Sequence, residues 1–160
     1  MMRCVLTYPR NRCRFLLALA CATVAPNLGA TTIGITNTQP LSFGTFVAGT
    51  GSVTVSPNGT RIASGGVIVL ATGPGQAAQF VVAGDANVTY AVTLPPDSTV
   101  SIANGGNNMP VNGFVSSPAS TGVLSGGGIQ TLNVGARLDV VDGRPVGDYS
   151  GSFIVVVDYN

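Results

Sequence analysis

Two stretches of this chain alternate strictly between apolar and polar side chains, and that period of two restricts the fold more than any other feature of the sequence. Val88, Tyr90, Val92 and Leu94 alternate with Asn87, Thr89, Ala91 and Thr93. Leu132, Val134, Ala136, Leu138 and Val140 alternate with Thr131, Asn133, Gly135, Arg137 and Asp139. Side chains of an extended strand point to opposite faces in turn, so each stretch is a strand with one dry and one wet face. Residues 41–47 and 78–82 read as further strands. The continuous apolar run Val67, Ile68, Val69, Leu70 suits a central strand covered on both faces. Shorter strands are expected at 52–55, 60–63, 99–102 and 110–115.

Turn chemistry separates these segments. Pro57-Asn58-Gly59, Gly73-Pro74-Gly75, Pro95-Pro96-Asp97, Asn104-Gly105-Gly106-Asn107, Ser125 to Gly128 and Asp142-Gly143-Arg144-Pro145 all supply residues that tolerate positive φ or preset a turn. No helical period lies between them. Short strands about ten residues apart, without crossover helices, make the fold class all-β, an antiparallel immunoglobulin-like Greek-key sandwich. Residues 41–160 form the sandwich domain, preceded by a segment at 31–40.

The first thirty residues belong to a different chemistry. Arg3, Arg10, Arg12 and Arg14 precede the apolar run 15–20, and small residues follow to Ala30, which is the layout of a cleaved secretory signal. Cleavage after Ala30 is preferred to cleavage after Ala25, which would place Pro26 beside the cut; Ala22 offers a third site. The apolar run is too short to span a bilayer, and no later run supplies a transmembrane helix. Export is expected, through the periplasm to the cell surface or beyond. All three cysteines, Cys4, Cys13 and Cys21, lie in this leader, so the processed chain has no internal disulfide to form. Its charge also changes: Arg61, Arg137 and Arg144 stand against six aspartates, giving −3 in place of +1. Nucleic acid is therefore not an expected partner.

After residue 30 the chain contains no His, Cys, Glu, Lys or Trp, which removes most nucleophiles, general bases and transition-metal ligands. No enzyme activity, cofactor or metal is expected. Asp139, Asp142 and Asp148 gather near one loop that could offer oxygens to Ca²⁺, but without the alternate-residue spacing of a calcium loop; they read as groups that solvate a turn. The glycine-rich segments open no helix and so cradle no phosphate. Asn58-Gly59-Thr60 and Asn87-Val88-Thr89 match the glycosylation sequon, a pattern too short to carry an assignment.

The C-terminal stretch is the most informative about function. Gly147, Tyr149, Gly151, Phe153, Val155, Val157 and Tyr159 share one face of an extended chain. Tyr159 is penultimate and Gly147 is fourteenth from the end. This resembles the C-terminal pattern of subunits of bacterial chaperone–usher pili. The chain as a whole, especially "LSFGTF", "SPNGT", "VNGF" and "VGDYSGSFIVVVDYN", also looks like a bacterial exported family known mainly as a domain of unknown function.

The pilin resemblance implies a sandwich one strand short, completed first by a periplasmic chaperone and then by the N-terminal extension of the next subunit. Gly147, Tyr149, Phe153, Val155, Val157 and Tyr159 would then line the groove and the edge that the chaperone reads. Ile33 and Ile35 would anchor the donor strand at 31–37. The expected partners are a periplasmic chaperone, an outer-membrane usher and identical or related subunits, in a structural surface fibre. The alternative expectation is a self-contained secreted or surface-attached sandwich that binds a ligand such as carbohydrate.

Overall fold

The computed structural model describes residues 31–160, so the leader read at 1–30 lies outside the described residues. Twelve strands follow in order: β1 (Gly34–Gln39), β2 (Phe46–Val47), β3 (Gly51–Val55), β4 (Arg61–Gly65), β5 (Ile68–Val69), β6 (Ala78–Ala83), β7 (Thr89–Thr93), β8 (Val100–Asn104), β9 (Asn107–Ser117), β10 (Thr121–Val123), β11 (Ile129–Val140) and β12 (Val156–Tyr159).

The longest strand, β11, organises the rest. One of its edges pairs with β6 from Ile129 to Val134 and then with β3 from Ala136 to Val140; its other edge pairs with β9. The handover falls at Gly135, where a Cβ would stand 2.2 Å from the Val55 carbonyl oxygen. Only glycine lets two strands share one edge so closely. The alternation expected here holds, with Leu132, Val134, Ala136 and Leu138 all fully buried.

Two sheets face each other across that core. The first runs β1-β6-β11, with β9 on the far side of β11, and the second runs β10-β7-β12. In chain order β1, β6, β11 and β9 take the places of strands A, B, E and D of an immunoglobulin-like sandwich, and β7 and β12 those of C and F, with β10 an additional strand beside β7. Val82, Leu132 and Val134 from the first sheet meet Tyr90, Val92 and Val157 from the second, and Val155 from the chain leading into β12, in one apolar cluster. A second cluster lies beyond it, where the β3–β4 and β8–β9 hairpins continue the first sheet; it contains Val53, Val55, Met109, Val111, Leu138 and Val140. Leu41 and Phe114 touch both. Each large side chain buried this way contributes about 1.5–3 kcal/mol.

Three segments differ from the sequence reading. The run 67–70 is not a central strand: β5 is two residues long, pairs only with β2, and leaves Ile68 62% exposed. Within it Val67 and Val69 turn inward while Ile68 and Leu70 turn out, so the run is apolar on both sides although one side is wet. Residues 31–40 are not set apart from the domain, because β1 pairs antiparallel with β6 from Gly34↔Ala83 to Gln39↔Gln79, and Ile33 and Ile35 pack on the core. At the C-terminus only Val156–Tyr159 forms a ladder, with β7, although the inward alternation extends back through Val155 to Phe153.

Tyr90 sits at the centre of the second sheet, wholly buried, and its hydroxyl donates to Gln130 Oε1 at 2.8 Å. Burial pushes its phenol pKa up. A phenol whose folded pKa is raised stabilises fully below the unfolded value of about 10, and that contribution disappears as pH climbs through the folded value. Denaturant midpoints should therefore fall above about pH 10, and Tyr90→Phe should flatten that fall while costing about 1 kcal/mol at neutral pH. An unchanged alkaline profile in the variant would exclude Tyr90 as its source.

Candidate functional site

A defect in β9 creates the site. The pairing of β9 with β11 slips between Val115↔Gly135 and Asn112↔Arg137, so that Gly113 and Phe114 together oppose Ala136. Gly113 takes φ +58°, the left-handed geometry of a glycine bulge. Asp97 Oδ1 accepts from its backbone N–H at 2.7 Å. Met109 and Val111 point inward before the bulge; without it Gly113 and Val115 would follow them. The extra residue turns Phe114 inward instead, leaving Val115 48% exposed.

Phe114 meets Phe153 with ring centroids 5.1 Å apart, and Phe153 meets Phe80 edge-on at 6.3 Å. Beside these rings the sandwich stays open. A cavity of about 870 Å³ runs between the segment Pro40 to Ala48 on one side and Arg144 to Phe153 on the other, floored by Val100, Ile102, Met109, Val111 and Phe114. It is open because the chain before β12 does not complete a sheet there. Ser150 exchanges backbone hydrogen bonds with Ala103 at 2.8 and 3.0 Å, and residues 151–155 then cross to β12 in neither sheet.

The first wall depends on one side chain. Arg61 Nη1 donates to the carbonyls of Gly73, Phe43 and Thr45 at 2.7, 3.2 and 3.3 Å, and Nη2 donates to Leu70 O at 2.7 Å. A planar guanidinium can serve several fixed acceptors at once, so Arg61 ties the wall at 43–45 to the loop at 70–73. On the second wall Tyr149 donates its hydroxyl to Pro145 O at 2.9 Å, and the buried Nε of Arg144 has no hydrogen-bond partner among the described residues.

The residues singled out in the C-terminal stretch divide into three groups. Gly147, Tyr149 and Phe153 line the cavity. Val155, just before β12, and Val157, within it, are core side chains. Tyr159 lies at the opposite end of β12, where it accepts from Asp85 N at 2.7 Å and donates to Thr31 O at 3.0 Å. Ile33 and Ile35 border the same edge of the core from β1. The outer edge of β12, where an immunoglobulin sandwich carries its last strand, hydrogen-bonds to no strand among the described residues, although β1 passes close to β12. Exposed Ile154 and Val156 lie along it. Arg61, the Gly113 bulge and the floor from β8 and β9 were missed by sequence reasoning; "VNGF" marked the bulge without revealing its effect.

The aspartate-rich loop is occupied with local bonds. Asp139 pairs with Arg137 at 2.9 Å and accepts from Asn112 Nδ2 at 2.7 Å, while Asp142 Oδ1 accepts from Gly143 N at 2.9 Å. Among the described residues no three acidic, His or Cys groups gather to hold a metal ion, and no helix is long and apolar enough to cross a membrane.

Fold and groove together define an antiparallel immunoglobulin-like sandwich whose second sheet ends on its C-terminal strand beside an open apolar cleft. The chain matches the model of the family described as "Domain of unknown function (DUF4402)" over residues 33–159, and it belongs to that family. No curated protein and no solved structure matches it.

If Arg61 holds the wall, Arg61→Gln should lower stability by about 1–3 kcal/mol and speed amide exchange at Thr45 and Leu70. Arg61→Lys should restore little, since an ammonium lacks the planar fork. Exchange at those two amides unchanged from wild type would show that the wall stands without the guanidinium.

Proposed function

We propose that this protein is a non-enzymatic structural subunit of a bacterial surface fibre, exported through the periplasm and assembled by β-strand donation. The observation that carries this reading is the outer edge of β12, hydrogen-bonded to no strand among the described residues, together with an apolar cleft of about 870 Å³ lined by the chain that leads into β12. An edge strand presents unpaired backbone groups, and an added strand satisfies them while its side chains fill the cleft. Residues 151–153, in neither sheet, line the cavity shortly before the chain enters β12. A periplasmic chaperone and an usher are the partners this assembly requires, and identical or related subunits supply the strand.

The proposed donor, residues 31–37, occupies its own molecule's sheet beside β6. Donation therefore involves releasing β1 from one subunit so that Ile33 and Ile35 reach the cleft of another. Most of β1 is exposed, so little burial holds it in place. The same pairing within the molecule favours a second reading, a self-contained secreted sandwich whose cleft takes a ligand such as carbohydrate.

An unboiled gel separates the two. Strand donation predicts heat-sensitive ladders for the wild type, lost on deletion of residues 31–37 from a subunit still recovered with chaperone. A wild type that stays monomeric at every concentration, with a truncated form that unfolds, leaves the self-contained sandwich.

A further inference from the structure

One corner of the sandwich joins both ends of the described chain. Thr31 N donates to Asp85 Oδ1 at 3.1 Å, and the Thr31 hydroxyl donates to the same oxygen. The Tyr159 hydroxyl closes the ring, donating to Thr31 O at 3.0 Å while accepting from Asp85 N at 2.7 Å. The turn between β6 and β7 thus holds Thr31, three residues ahead of β1, and the last residue of β12 in one network. Asp85 supplies an anionic acceptor with no arginine beside it, since the ion pair formed among the described residues joins Arg137 and Asp139.

Thr31 is also the residue that follows the preferred leader cleavage point. We propose that cutting the Ala30–Thr31 bond converts the Thr31 nitrogen into an ammonium that pairs with the Asp85 carboxylate, so that processing itself fastens the first strand to the last. A leader peptidase adds water across the bond. The Ala30 carbonyl carbon takes the hydroxyl and leaves as a carboxylate, while the Thr31 nitrogen keeps the bonding pair and gains protons. The nitrogen already lies at hydrogen-bond distance in the uncut chain, so the step changes charge and donor number rather than position. Charge-assisted hydrogen bonds are roughly twice as strong as neutral ones.

The titratable groups that meet Thr31 are Asp85 from the β6–β7 turn and Tyr159 from β12. Asp158 points to the other face of β12, where it is exposed. The inference rests on the export part of the proposed function and not on strand donation.

The composition supplies a clean test. The chain has no lysine, so in the processed protein the α-amine is the sole primary amine, and amine reagents modify it alone. The full-length chain, exported with its own leader, is purified from the periplasm and its N-terminus sequenced. The amine is dimethylated with ¹³C-formaldehyde and titrated by NMR, against the identically treated peptide Thr-Thr-Ile-Gly-Ile.

The expected N-terminus is Thr31, and its amine should titrate higher in the protein than in the peptide, with Asp85→Asn bringing the two together. Acetylating the amine should lower the melting temperature of the wild type, which requires no substitution, and leave Asp85→Asn unmoved. An amine pKa raised in the folded state stabilises fully below the unfolded value and is lost above the folded one. The gap between free and acetylated protein should accordingly close as pH rises through the protein's amine titration. An N-terminus at any other residue overturns the proposal, as does an amine that titrates alike in protein and peptide, or acetylation without effect. A retained Met1 would sink the export reading as well; Thr31 with an ordinary amine sinks the clasp alone.

Discussion

β11 hydrogen-bonds to three strands, and the arrangement is possible only because Gly135 leaves room for the Val55 carbonyl where β6 gives way to β3. That close contact lets one strand thread two apolar clusters, with Leu132 and Val134 in one and Ala136, Leu138 and Val140 in the other. Without it β3 and β6 could not lie end to end along the same edge. The hairpins that floor the cleft are placed by the same strand, β9 directly and β8 through β9. The groove is thus a remote result of strand sharing around a residue with no side chain.

The cleft itself follows from an imbalance between the sheets. The first sheet continues through β8 and β3–β4 past the end of the second, whose three strands have five, three and four residues. Over that extension the first sheet has no facing sheet, and its apolar side is covered instead by the wall at 40–48 and the chain at 144–153. Polar bonds hold the first cover in place, chiefly from Arg61, because a two-residue ladder between β2 and β5 buries too little to do so alone. Opening the cleft would therefore disturb the second cluster, which supplies its floor, more than the first. Local stability is set by the number of buried contacts in each part.

Much of the fold was legible because period-two alternation reports directly which side of a strand is dry. Leu132 to Leu138 and Tyr90 to Val92 were placed correctly on that basis, and the turn residues located the β3–β4 and β8–β9 hairpins. The run 67–70 misled because four consecutive apolar residues contain both faces of a strand, and sequence alone does not say which face meets water. β1 was read as an extension since only Ile33 and Ile35 advertise burial; its place beside β6 comes from backbone pairing, which any sequence can make. The cleft was partly visible: of the stripe from Gly147 to Tyr159 only the part up to Phe153 lies on one wall, while the opposing wall depends on Arg61 bonding to carbonyls whose positions no side-chain pattern encodes.

The bulge in β9 carries a consequence for how this chain can vary. A side chain at Gly113 that refuses the φ of +58° would press residue 113 into the β9–β11 ladder, giving a more regular pairing there, and by local hydrogen bonding alone it would look like an improvement. It would also rotate the Phe114 side chain out of the sandwich, severing its stacking with Phe153 and its contacts to both cores. Many substitutions along the exposed face of β9 leave that geometry untouched. Here the one glycine that holds the irregularity is under tighter constraint than the rest of the strand, because the bulge decides which face every later side chain of β9 takes.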